Sequence, residues 1–209
     1  MEDVLDVYQR AYDPHRPVLC LDELPVQLVG EVFTPLPMER GKPKREDYEY
    51  KREGTASVFM VFEPLAGKRY LFVRSRRTAC DWAEVMQQIA DELYPEAERI
   101  VMVMDNLNTH DVASLYKRFV PSEAWRLRQR FEIHHTPVHG SWLNVAEIEL
   151  SVLVRQCLER RIGDIGALDR EVQAWARLRN EACACVDWQF TTADARIKLK
   201  RLYPKIEER

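Results

Sequence analysis

Apolar positions in this chain recur with two periods. Val4, Leu5, Tyr8 and Tyr12 keep helical spacing, and Asp13-Pro14-His15-Arg16-Pro17 then breaks the run because both prolines disfavour helix. This predicts a short lead-in helix and a turn. Val18-Leu19-Cys20-Leu21 is a brief, wholly apolar run ending in Asp22-Glu23, which reads as a buried strand with acids at its C-terminal end. Residues 35–47 hold three prolines and mixed charge and read as a loop. Residues 55–62 are rich in β-formers, Pro64-Leu65-Ala66-Gly67 is a turn, and residues 69–73 return, which predicts a hairpin.

Thr78 or Asp81 can cap a helix that runs to about Leu93 and stops before Pro95. Ile100-Val101-Met102-Val103-Met104 is a second fully apolar strand, and it too ends in an acid, Asp105. Residues 109–119 read as helix, and 131–135 as a strand stopped by Pro137. Ser141 is placed to cap a long helix through about Arg161, Gly163 to Gly166 separates it from a helix over 168–184, and residues 188–203 read as a loop with a basic helical turn. There is no internal repeat. Three early strands that can pair antiparallel, then two joined by crossovers, give an α/β class with a mixed sheet flanked by helices.

Composition narrows the picture. The chain has 209 residues, 46% hydrophobic and 31% charged, the balance of a globular chain large enough to bury its own core. No apolar run approaches membrane-spanning length and residues 1–20 carry no apolar block, so neither a membrane span nor a secretory signal is expected. The five cysteines are an odd number without a metal-type pair, as in a cytoplasmic protein with reduced thiols. The net charge of −3 excludes a wholly basic DNA-coating protein but not an enzyme acting on nucleic acid. Basic clusters occur at Arg74, Arg76 and Arg77; at Arg126, Arg128 and Arg130; at Arg160 and Arg161; and at Arg196, Lys198, Lys200 and Arg201. Each alone reads as a solvated face.

The acids at the strand ends carry the chemistry. Ligands bind at the carboxyl ends of strands in α/β sheets, and Asp22 and Asp105 both stand there. One such aspartate can simply begin a loop. Two brought together repel unless a cation lies between them, and hard oxygen ligands suit Mg²⁺ or Mn²⁺. Glu147, on the second turn of a helix that starts directly after a loop, could complete a carboxylate triad; alone it reads as solvent-facing.

Three blocks in order, Cys20-Leu21-Asp22-Glu23, Met104-Asp105-Asn106-Leu107-Asn108-Thr109-His110 and His139-Gly140-Ser141-Trp142-Leu143-Asn144-Val145-Ala146-Glu147, resemble those of DDE transposases of the mariner-like superfamily, in particular its bacterial insertion-sequence branch. The tail Asp187-Trp188-Gln189-Phe190-Thr191-Thr192-Ala193-Asp194-Ala195-Arg196 resembles the end of those proteins as well. The resemblance implies a ribonuclease H-like fold and metal-dependent DNA strand cleavage and strand transfer. It implies Asp22, Asp105 and Glu147 as catalytic metal ligands for two Mg²⁺ or Mn²⁺ ions, with Asn106, His110 and Asn144 as near neighbours that do not bind metal. Arg74, Arg76 and Arg77 are candidates for phosphate contacts. On this reading residues 1–17 are a lead-in helix and turn, 18–162 the catalytic core and 163–209 a helical extension of the same domain.

The chain departs from the pattern at Val145, where relatives often carry proline, and at Ile148, Glu149 and Leu150, where they often carry an aromatic residue. Relatives carry helix-turn-helix domains ahead of the core, whereas Met1 stands just before the first catalytic strand, so a catalytic half alone is expected, with a separate helix-turn-helix chain or a homodimer as partner besides DNA. The expected place of action is the cytoplasm, at the nucleoid. Two alternatives remain: a ribonuclease H-like nuclease on another nucleic acid, and an idle transposase remnant that binds and regulates.

On the Glu147 helix, Asn144, Glu147 and Ser151 form a polar lane extended by Arg155, flanked by Leu143, Leu150, Val154 and Cys157. Glu149 falls on another side, with Gln156 and Arg160, and is expected to be solvated. His134, His135 and His139 do not read as a zinc site because Pro137 interrupts them. Most of the five tryptophans read as core.

Overall fold

The computed structural model describes residues 1–33, 37–43, 48–138 and 140–203. Among these residues five strands, β1 (Val18–Glu31), β2 (Tyr50–Glu63), β3 (Lys68–Arg74), β4 (Ile100–Met104) and β5 (Phe131–His135), form one sheet in the order β3-β2-β1-β4-β5. β1, β2 and β3 pair antiparallel, whereas β4 pairs parallel to β1 and β5 parallel to β4. Among the described residues seven α-helices flank it: α1 (Glu2–Tyr8), α2 (Ala79–Gln88), α3 (Ala113–Arg118), α4 (Pro121–Arg130), α5 (Val145–Leu153), α6 (Ile165–Glu181) and α7 (Thr192–Lys198).

Strand alternation sorts the core into two layers. Cys20, Val58, Met60, Phe62, Val101 and Val103 face α1, α5, α6 and α7. Leu19, Leu21, Phe59, Val61, Ile100, Met102 and Met104 face α2, α3 and α4. β4 is buried on both faces, which is why its sequence is an unbroken apolar run. The exposed edge of β3 is closed by α6: Asn180 donates to the Arg69 carbonyl and accepts from its N–H, and Gln173 donates to the Leu71 carbonyl.

The hairpin, β4, β5 and the Thr78 cap stand where the sequence places them, the cap with Asp81 as its reciprocal partner. Four expectations need correction. β1 does not stop at Asp22 but continues to Glu31 against β2. The helix expected over 109–119 is confined to α3, and α4 follows it unforeseen, begun by Pro121 in its first turn. Ser141 does not cap α5; it opens a 3₁₀ turn, and Asn144 is the N-cap, its side chain accepting from the Ala146 N–H. α5 itself ends at Leu153 and gives way to a π-turn over Val154–Leu158. Among the described residues no helix is long and apolar enough to cross a membrane.

Candidate active site

The parallel pairing of β1 and β4 ends at the rung Leu21–Met104. The next residue on each strand is an aspartate, Asp22 and Asp105. Asp22 is thus in mid-strand along the chain yet at the strand end as far as β4 is concerned. It follows Cys20 by two residues and shares its face, the one covered by α5. Burial pushes the Asp22 carboxyl up from 3.8 to about 7; Asp105, Glu23 and Glu147 add repulsion, and a bond from the Glu23 N–H at 2.8 Å works against them. Both Asp105 and Glu147 therefore lie within electrostatic reach of Asp22.

The start of α5 sets the third acid. Asn144 is fully buried, and its Nδ2 donates to the Leu21 carbonyl at 2.9 Å, one residue before Asp22. Its Oδ1 accepts from the Ala146 N–H at 3.2 Å. The same side chain thus ties the first turn of the helix to the strand that carries Asp22. Glu147 is in that turn and exposed.

Asp105 is held from the other layer. His110 is buried against Trp82, with its Nε2 2.7 Å from Glu23 Oε2 and its Nδ1 2.5 Å from Asp105 Oδ1. The first contact is an aligned hydrogen bond. The second is off the line of one and acts through charge proximity. Burial lowers the imidazole's affinity for a proton, but the Asp105 and Glu23 carboxylates outweigh it and hold the pKa at about 9, so His110 is a cation at neutral pH.

Asp105 and Glu147 each repel Asp22, but the three acids close no cage. Among the described residues, no three His, Cys, Asp or Glu side chains are gathered tightly enough to hold a metal ion. Asp22 commits Oδ1 to the Glu23 N–H and Asp105 turns Oδ1 to His110, and neither Oδ2 has a partner among the described residues. This donor set fits a hard divalent cation: each aspartate is oriented through one oxygen and keeps the other, and the repulsion at Asp22 is of the kind a cation reverses.

Of the other candidates, Asn106 is exposed in the loop after β4. Arg76 is exposed with no ionic partner among the described residues, and Arg77 reaches to 4.0 Å from Glu23 Oε1. Arg74 is bound to Gln88 and lies over Phe72. The remaining basic clusters are neutralised in part: Arg128, Lys200 and Arg201 are exposed without an ionic partner among the described residues, and Arg130 donates to backbone carbonyls. Arg126 pairs with Asp91 and Glu123, Arg160 with Glu171, Arg161 with Glu31, Arg196 with Glu2 and Lys198 with Asp194.

His134 binds Asp3 and Glu132, His135 lies 3.2 Å from the His110 carbonyl, and His139 lies outside the described residues. Trp82 and Trp175 are core residues and Trp188 packs against the core, whereas Trp125 and Trp142 are exposed. Of the residues flanking the Glu147 lane, Leu143, Leu150 and Cys157 are buried as expected. Glu149 is not solvated: it is 2% exposed and clasped by Arg69 and Arg179.

Two residues bonded to the elements that carry the acids escape the sequence reading as site residues. Glu23 carried a signal: along β1 it falls in line with Leu19 and Leu21, so an acid there is buried and needs a partner. Tyr8 carried none beyond its helical spacing, because the chain segments it joins lie far apart in sequence.

The profile of the family described as "DDE superfamily endonuclease" matches residues 17–169. No curated protein matches the chain in sequence. Among solved structures it resembles the Mos1 mariner paired end complex with Mn, at 14% identity and a TM-score of 0.56 over 88% of this chain and 59% of that one. It also resembles the Mos1 strand transfer complex, at 13% identity and a TM-score of 0.57 over 88% of this chain and 58% of that one. The isolated catalytic domain of Mos1 mariner transposase aligns at 12% identity and a TM-score of 0.53 over 88% of this chain and 87% of that one. At such identities the likeness is one of fold, the ribonuclease H-like sheet of that catalytic domain, and the chain spans 59% of the longer chain in the paired end complex. The family match covers most of the sequence, both aspartates and Glu147 included: the chain belongs to the DDE superfamily endonucleases.

Proposed function

We propose that this protein cleaves DNA strands and joins them in the transposition of a bacterial insertion sequence, with Asp22, Asp105 and Glu147 as its catalytic metal ligands. The observation that carries this is the shared rung: two adjacent parallel strands each present an aspartate one step beyond it, on the face where α5 brings Glu147. Two bound Mg²⁺ or Mn²⁺ ions would supply Lewis acidity at the attacking and leaving oxygens of the phosphodiester. The protein's own groups hold the acids in place. Asn144 fixes the turn that carries Glu147, and Glu23 anchors His110, whose cationic ring holds one oxygen of Asp105.

In this reading residues 18–162 form the core and 163–209 extend it. The partner is transposon-end DNA, as in the Mos1 complex with a left transposon end, with a separate helix-turn-helix chain or a second copy supplying end recognition. The test is nicking of plasmid DNA by the pure protein with Mn²⁺ or Mg²⁺. Nicking is expected to vanish in excess chelator and in Glu147→Gln, whose fold survives because Glu147 is exposed. Undiminished cleavage in chelator refutes the metal reading. A preference for RNA–DNA hybrid over DNA replaces transposition by nuclease action.

Arg76 and Arg77 are the phosphate-binding groups of this reading, since both are exposed and Arg77 stands 4.0 Å from Glu23, the residue after Asp22. Replacing both by alanine is expected to weaken DNA binding similarly for all sequences and to lower the slope of log affinity against log salt by about 1 for each phosphate no longer neutralised. Titration of a labelled duplex at several salt concentrations measures both. An unchanged slope removes this loop from the interface.

A further inference from the structure

We propose that Tyr8 is a positioning residue for Glu147, through which the lead-in helix and the C-terminal tail brace the first turn of α5. The inference rests on the reading of Glu147 as a metal ligand.

A helix leaves its first N–H groups without partners inside the helix. Here each one has a partner. The Val145 N–H donates to the Tyr8 hydroxyl at 3.4 Å, the Ala146 N–H to Asn144 Oδ1 at 3.2 Å, and the Glu147 N–H to the Asn144 carbonyl at 3.0 Å. The Tyr8 hydroxyl in turn donates to the Leu143 carbonyl at 2.7 Å. Its proton is spent there, so the Cys20 thiol, 3.4 Å away, is the donor in that contact. Tyr8 therefore stitches Leu143 to Val145 across the N-cap, while the N-cap side chain reaches to Leu21 beside Asp22. The turn that carries Glu147 is clamped between β1 and Tyr8.

Tyr8 is itself held from the far end of the chain. Its ring lies 5.3 Å from that of Trp188, whose carbonyl accepts from Gln9. On the same helix Asp6 accepts from the Thr192 hydroxyl, and Glu2 binds Arg196 through two bonds and Tyr203 through a third. None of these residues lies within the 17–169 family match. A tyrosine ring alone would fill the space; the buried hydroxyl adds direction, and a metal ligand displaced by even about 1 Å loses much of its effect.

The Tyr8→Phe variant removes the hydroxyl and keeps the ring. One net hydrogen bond corresponds to about a 3- to 10-fold change in an equilibrium constant. In metal-free protein, hydrogen exchange at the Val145, Ala146 and Glu147 amides should quicken by about that factor while β4 amides keep their rates. Mn²⁺ affinity, read by calorimetry against Glu147→Gln as reference, should fall by a similar factor. Unchanged exchange at these amides, or an acceleration spread evenly over the sheet, overturns the proposal. Selective acceleration with unchanged Mn²⁺ affinity overturns the positioning role alone. Equal Mn²⁺ binding by wild type and Glu147→Gln overturns the reading of Glu147 as a ligand, and the brace with it.

Discussion

Replacing Asp22 by asparagine is expected to cost about 10³-fold or more in strand cleavage and, in the same protein freed of metal, to raise its stability above pH 7. The two effects share one cause. Burial and the neighbouring acids raise the folded-state pKa of Asp22 from 3.8 to about 7. Between those values the folded protein keeps a proton that the unfolded chain has lost. The stability this group contributes is therefore fully present below pH 3.8 and is lost as pH rises through about 7. Asparagine does not ionise and suffers no such loss.

In full, the rise from 3.8 to about 7 would be worth about 4 kcal/mol. Partial exposure of Asp22 brings the expected gain nearer to about 2 kcal/mol at pH 8, with little difference at pH 4. Thermal melts in chelator at the two pH values measure this, and a plasmid-nicking assay measures the loss of activity. An aspartate that merely began a loop would give neither effect. Retained nicking sinks the catalytic assignment, whereas lost nicking without the gain at pH 8 sinks the electrostatic account of the site.

What the sequence disclosed of this arrangement follows from how local each feature is. β4 and the hairpin strands are legible because burial leaves apolar runs with few interruptions. β1 beyond Leu24 is not, because Pro25, Gln27 and Gly30 sit where the strand pairs only with β2 and no longer with β4. The reading of Asp22 as a strand-end acid is wrong along the chain and right in the sheet, since what ends there is the β4 ladder. α4 hides because only Ala124 and Leu127 of its ten residues are buried. Choosing between Ser141 and Asn144 as the cap needs tertiary partners, for both residue types cap well and only Asn144 also reaches Leu21. The metal-ligand candidates follow from three motifs in order, but the groups that orient them, Glu23 through His110 and Tyr8 through Leu143, act across the fold.

Glu149→Gln is expected to destabilise the fold by about 3 kcal/mol, against about 0.5 kcal/mol or less for Glu147→Gln two residues away. The sequence favours solvation for Glu149, because its neighbours on that side, Gln156 and Arg160, are polar. The structure buries it: Arg69 Nε donates to Oε2 at 2.5 Å and Arg179 Nη2 to Oε1 at 2.7 Å. The side chains of Arg69 and Glu149 are 0% and 3% exposed. Each of the other two guanidinium nitrogens of Arg69 donates to a carbonyl, of Gly67 and of Ala184, and the group lies over the Phe62 ring, so it cannot turn to water.

Glutamine offers one acceptor oxygen where two guanidinium groups each need one, and its amide would direct hydrogens at the other. One buried cation is left uncompensated, the costly half of breaking a buried pair. Arg179 is 25% exposed and recovers some hydration, which keeps the cost at the lower end of the range of about 3–5 kcal/mol. For a chain of this size that lowers the melting temperature by about 6–12 °C. Arg69→Met with Glu149→Leu removes the buried pair and should recover part of the loss, because Arg179 and the Gly67 and Ala184 carbonyls are left without their partners. Below its melting point Glu149→Gln should still nick DNA, since the Glu149 oxygens are spent on Arg69 and Arg179 and neither bonds to the aspartates. A Glu149→Gln protein within about 0.5 kcal/mol of wild type would show that this clasp is not coupled and would return Glu149 to the solvated role its sequence neighbours imply.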